Sequence, residues 1–231
     1  MSTRTVSRKP RIGFHAPIKD GLHESLLIAE ETGCDAVQIF SRNPRGWMAK
    51  PLTKDAINLF RQTRKQTKLS PVLIHANYLI NLCASDEVLL LKSTLSFREE
   101  VQRAIVLGVD YVVLHPGSAR GSCEAEAIET CARSLKVATK GLRLDGVRIL
   151  LENTAGQGEC IGHRFEHLRA INLQIAYVRE LGHRFKLDWL VEIIYQSGTR
   201  LAHASVDNHR ADAAHLLKTI HVPRGRRGLL T

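Results

Sequence analysis

Three things are scarce in this chain of 231 residues. The first is paired cysteine: Cys34, Cys83, Cys123, Cys131 and Cys160 are odd in number, scattered, and include no Cys-x-x-Cys pair. A reducing cytoplasm therefore fits better than a disulfide framework, and the thiols read as core or spectator groups. The second is a long apolar run. The basic, Ser/Thr-rich opening MSTRTVSRKP is not followed by one and none occurs later, so residues 1–10 read as a disordered basic arm and no membrane span is expected. The third is acid: 33 Lys+Arg face 23 Asp+Glu, and the net charge of +10 favours a polyanionic partner such as nucleic acid. Charge alone is unspecific, since many basic proteins touch no DNA. With 44% hydrophobic and 24% charged residues, the chain can bury a sizeable core as one large domain or two small ones.

What is present is a repeat of strand then helix. Short β-rich runs occur at Arg11 to His15, Ala36 to Phe40, Pro71 to His75, Tyr111 to His115 and Arg148 to Glu152. Each is mostly apolar, as expected of strands covered on both faces of a parallel sheet. Helical stretches are predicted over Gly21 to Thr32, Thr53 to Thr67, Ser85 to Leu107 and Glu124 to Thr139. In the third, Val88, Leu89, Leu91, Leu95, Val101 and Ile105 recur near helical spacing behind a Ser85-Asp86-Glu87 cap, and Gly33, Gly108 and Gly141 punctuate helix ends. Strands and helices alternating in this way indicate a parallel α/β fold, either a (β/α) barrel or a doubly wound sheet.

The residues that follow the strands favour the barrel. Four of the five runs end in His15, His75, His115 or Glu152, each followed by a loop. A barrel gathers such residues in a ring at its C-terminal mouth, where active sites of that fold sit. Histidine and glutamate are metal-ligand types, so their convergence suggests a metal centre, whereas any one His alone is explained as well by a strand-capping hydrogen bond. Glu152, closing the apolar run RILLE, also needs a partner if buried, and a cation is one candidate.

The strings GFHAPIKDGL (13–22), QIFSRNPRGW (38–47), HANYLINL (75–82), LHPGS (114–118), ENTAGQG (152–158) and FEHL (165–168) occur in this order. Together they resemble bacterial endonuclease IV, the abasic-site endonuclease of the xylose-isomerase-like barrels, over about residues 11–171. The resemblance implies an α/β fold of (β/α)8 TIM-barrel type. It implies a soluble, monomeric DNA repair enzyme of the cytoplasm, associated with the nucleoid when acting on DNA. Its activity would be hydrolysis of the phosphodiester 5′ to an abasic site in double-stranded DNA by zinc-activated hydroxide, leaving 3′-OH and 5′-deoxyribose phosphate ends. The family pattern holds three Zn2+ ions. By motif match His75, His115 and Glu152 are the ligands of one, with Glu152 bridging to a second and acting as the catalytic carboxylate. His15 is expected at the mouth, beside the ligands rather than among them. In SRNPRGW, Asn43, Arg45 and Trp47 match the loop that enters the minor groove, and Tyr78 of HANYLINL matches an inserted aromatic. An abasic nucleotide has lost its stacking, so wedges of this kind select it by the ease of kinking and flipping. His163, Arg164 and His167 are expected on a helix surface.

After about Ile171 the resemblance stops, and residues 172–231 read as a divergent tail. Asp207 and His209 of SVDNH have Asp-x-His spacing, but chance explains them better than a ligand role. Leu187 to Tyr195 has the pattern of an amphipathic helix. About five βα units are recognisable, so the chain reads as an incomplete barrel, truncated or frame-shifted near residue 172, with one complete zinc set. Two other functions stay open: an inactive remnant that binds DNA or one zinc ion, and a metal-dependent isomerase acting on sugars or sugar phosphates.

Overall fold

The computed structural model describes residues 11–180. Its elements follow the predicted alternation: β1 (Gly13–His15), α1 (Leu22–Glu31), β2 (Ala36–Phe40), α2 (Lys54–Thr67), β3 (Val72–His75), α3 (Glu87–Leu107), β4 (Tyr111–Leu114), β5 (Gly117–Ser118), α4 (Glu124–Thr139), β6 (Arg148–Leu151), β7 (Cys160–Ile161) and α5 (Phe165–Glu180). The opening arm, the possible helix at Leu187 to Tyr195, and Asp207 and His209 lie outside the described residues.

Five strands form one parallel sheet in the order β1-β2-β3-β4-β6. Each main strand pairs with its predecessor, so the order never reverses. A doubly wound sheet requires that reversal, and the barrel alternative is the one observed. The two-residue strands β5 and β7 pair antiparallel and tie together the loops that follow β4 and β6.

Sequence dictates the helix ends. The Thr53 hydroxyl accepts from Ala56 N (3.2 Å) to start α2, and the Asp86 carboxylate accepts from Leu89 N (2.7 Å) to start α3. Gly108 closes α3 in the left-handed region (φ 71°), giving its N–H to the carbonyls of Ala104 and Ile105.

The buried face of α3 is not the one its apolar spacing suggests. Val88, Leu91 and Leu95 are exposed, whereas Ser96, Phe97, Glu100, Val101, Arg103, Ala104 and Leu107 are buried. Polar residues occupy part of the inner face because they bond to one another and to the loop after β2, a compensation that hydropathy spacing does not see. The expectation for His167 is also corrected. It is buried on α5, receiving the Gly162 N–H at Nδ1 (3.2 Å), with Arg164 Nε 2.9 Å from Nε2 and Glu124 Oε2 at 3.4 Å. Burial pushes its imidazole below its ordinary value, against the opposing pull of Glu124. Arg164 and His163 are exposed, but they lie in the bend before α5 and not on a helix.

The core has two sides. The helices pack over one face of the sheet on Val72, Ile74, Val112, Leu114, Ile149 and Leu151, while Leu73, Tyr111, Val113 and Leu150 cluster on the other. Strand side chains alternate with period two, so His75 falls in phase with Leu73, His115 with Tyr111 and Val113, and Glu152 with Leu150. All three therefore point to the inner face. Cys83 and Cys131 are buried thiols, and the neighbouring Cys131 with burial holds Cys83 above the ordinary thiol range. Among the described residues, no helix is long and apolar enough to cross a membrane.

Candidate active site

Strand register brings the ends of the runs level. Phe40 pairs with His75 and His75 with Val113, and β4 and β6 keep in step as Glu152 N donates to the Leu114 carbonyl (2.9 Å). His115 and Glu152 lie one residue beyond β4 and β6, at the end of the sheet.

Here His75, His115 and Glu152 converge, one ligand atom from each lying within 4.8 Å of the others. Glu152 Oε2 is 3.1 Å from His75 Nε2 and 3.8 Å from His115 Nε2. His75 Nδ1 lies 2.7 Å from the Ala76 carbonyl, an oxygen that can only accept, so Nδ1 carries the proton. Nε2 then faces the Glu152 carboxylate oxygen at 3.1 Å, a pair that a shared proton or a cation can bridge. Two imidazoles and a carboxylate with this tautomer fit a zinc-type divalent ion.

The cluster lies in a cavity of about 960 Å³ lined also by His15, Gln38, Tyr78, Asn81, Asn153 and Gln157. His15 is at the mouth, as expected, beside the cluster: its Nδ1 is 3.0 Å from Gln38 Nε2, its ring packs on Phe40 (centroids 4.3 Å), and the His75 ring is 6.1 Å away. Tyr78 is 58% exposed at the rim, edge-on to Phe40 at 5.1 Å and 5.8 Å from the His75 ring. Asn43 and Arg45 are exposed and Trp47 is half-buried on the neighbouring loop, outside the cavity lining. The two loops are joined: Tyr78 N donates to the Pro44 carbonyl (3.1 Å), and Asn77 Nδ2 donates to the carbonyls of Gly46 and Asn43.

Sequence reading did not single out Asn81. Its Oδ1 accepts from Cys83 N (3.0 Å) and Ser118 N (2.9 Å), and its Nδ2 donates to Ser118 O (3.0 Å), fixing the loop after His115. Gly117 must be glycine there, since a Cβ would stand 2.0 Å from that Oδ1 and its φ is 125°. The signal available was the Asn within HANYLINL facing a Gly two residues beyond His115.

A second trio, Glu124, His163 and His167, also has ligand atoms within 4.8 Å of one another. Both ring nitrogens of His167 already face N–H donors, and Arg164 Nη2 sits 2.7 Å from Glu124 Oε2, so the trio is a cross-link between α4 and α5 and not a cation site.

A family model described as xylose isomerase-like TIM barrel matches residues 26–183. The chain belongs to the xylose isomerase-like TIM barrel family. Within it, the chain is 41% identical over 178 residues to a probable endonuclease 4 of Solibacter usitatus, covering 77% of this chain and 61% of that relative. It is 42% identical over 165 residues to endonuclease 4 of Thermus thermophilus, covering 69% and 57%. The crystal structure of endonuclease IV from Thermus thermophilus superposes with a TM-score of 0.61 at 38% identity, over 70% of this chain and 58% of that one. A 3-keto-D-glucoside 4-epimerase from E. coli shares the family fold at 15% identity (TM-score 0.58). The chain thus spans about three fifths of the length of the curated relatives it matches.

Proposed function

We propose that this chain acts in DNA repair as an endonuclease IV-type phosphodiesterase, incising double-stranded DNA 5′ to abasic sites and leaving 3′-OH and 5′-deoxyribose phosphate ends. One observation carries the reading: a His75–His115–Glu152 cluster suited to a divalent metal stands at the barrel mouth, directly beneath an exposed Tyr78 and beside the loop of Asn43, Arg45 and Trp47.

His75, His115 and Glu152 would hold zinc, which when bound supplies Lewis acidity toward a phosphate oxygen and acidifies a bound water. The chain's own groups set the conditions for that chemistry. His75 is oriented by the Ala76 carbonyl, so its Nε2 stays a lone-pair donor. Glu152 offers a carboxylate oxygen to both imidazoles. Gln38 holds the His15 ring beside the cluster. Tyr78, exposed at the rim, can occupy the space left by a missing base, and Arg45 and Asn43 present donors toward the groove. A sugar-transforming barrel has no use for exposed wedges of this kind, which disfavours the isomerase reading.

The test is incision of a duplex containing one abasic residue, with and without chelator, by wild type and Glu152→Gln. Chelator-sensitive cleavage 5′ to the lesion, lost in Glu152→Gln, is expected. Duplex binding without cleavage by wild type would contradict the enzymatic reading and favour a DNA-binding remnant.

A further inference from the structure

The loop after β2, residues 41–50, is fastened at both ends to α3 by a buried polar network. Arg42, whose side chain is only 3% exposed, donates from Nε to Glu100 Oε1 (2.8 Å) and from Nη1 to Glu99 Oε2 (2.7 Å) and the Trp47 carbonyl (3.4 Å). Its Nη2 donates to the Ser96 carbonyl (2.9 Å) and hydroxyl (2.7 Å). Arg103 donates from Nε to Ser41 Oγ (2.9 Å), from Nη2 to the Ser41 carbonyl and from Nη1 to the Lys50 carbonyl (3.0 Å). The Ser41 hydroxyl completes the circuit on Glu100 Oε2 (2.6 Å).

Burying two guanidinium groups with a single buried carboxylate, Glu100, is a poor way to gain stability, because well-packed apolar side chains of similar volume do as well or better. What such a network supplies is geometry. Arg42 ties the start of the loop to Trp47, Arg103 ties Ser41 to Lys50, and Asn77 holds the carbonyls between them at Asn43 and Gly46. With its backbone held at both ends and in the middle, the loop presents the exposed Asn43 and Arg45 side chains at fixed spacing. A loop ordered before binding does not lose that conformational entropy on binding.

We propose that Arg42, Glu100 and Arg103 are positioning residues that hold the 43–47 segment in the arrangement that discriminates abasic from intact duplexes, an inference that rests on the DNA-repair reading. None of the three touches the cavity. They act through the loop.

Two variants cut separate tethers: Arg42→Met, which leaves Glu100 the Ser41 hydroxyl and the nearby charge of Arg103, and Arg103→Met, which leaves the Arg42–Glu100 pair in place. In the full chain without DNA, amide exchange over residues 41–50 is expected to quicken about tenfold in each, with strand amides unchanged. Preference for a duplex bearing an abasic analogue over an intact duplex should fall about tenfold, with zinc uptake intact and partial recovery in Arg42→Lys. Loop exchange unchanged in both variants would overturn the positioning role. Faster loop exchange with undiminished preference would overturn its bearing on recognition. A wild type with no preference at all contradicts the proposed function, and loop exchange alone then decides whether the network positions the segment.

Discussion

At the scale of single residues, the informative atom is Nε2 of His75. Its partner ring nitrogen is committed to the Ala76 carbonyl, and Glu152 Oε2 stands 3.1 Å away, so the pair is arranged for a cation or a shared proton. The ligand residue types were legible in the sequence because strand-end His and Glu recur in phase with apolar strand residues. The tautomer was not, because it depends on the backbone carbonyl of the next residue. Tyr78 is legible for a different reason, as part of HANYLINL, but only the structure shows its ring leaning on Phe40 and His75 with more than half its surface exposed. Tyr78→Ala should weaken binding of an abasic duplex by about 1–3 kcal/mol, the usual value of one aromatic platform, measured by fluorescence anisotropy. Thermal stability should be little changed, and equal weakening on intact duplex would argue against a lesion-reading role.

At the scale of elements, the helix and strand positions were legible from spacing and caps, and the buried faces were not always. The apolar residues Val88, Leu91 and Leu95 of α3 lie outward while Ser96, Glu100 and Arg103 lie inward, because the inward polar groups find partners 50 or more residues away in the chain, such as Ser41 and Arg42. The same holds for α5. His167 is buried against the Gly162 N–H and Glu124 of α4, contacts a sequence cannot display. Its imidazole sits below its ordinary value of 6.5, so the folded state binds fewer protons than the unfolded one. The contribution of neutral His167 is therefore present above that value and lost as pH falls through and below it. The wild type should lose more stability between pH 7 and pH 5 than His167→Gln, read by urea denaturation at each of about five pH values across that range. Parallel pH profiles for the two proteins would contradict the role given to His167.

At the scale of the whole molecule, the order β1-β2-β3-β4-β6 without reversal makes the described residues a continuous barrel wall, and that wall alone levels His75, His115 and Glu152 at one rim. Barrel class was legible because four strands end in ligand-type residues; the register that brings those ends together is a product of sheet pairing. The net charge of +10 favours a polyanionic partner, and the cluster at the rim is the centre on which the proposed incision depends. Equilibrium zinc titration of the full chain, compared among wild type, His75→Asn, His115→Asn and Glu152→Gln, tests it most directly. The prediction is one tight site in wild type that each substitution weakens by about tenfold or more. Zinc binding of equal affinity and number in all four proteins would contradict it.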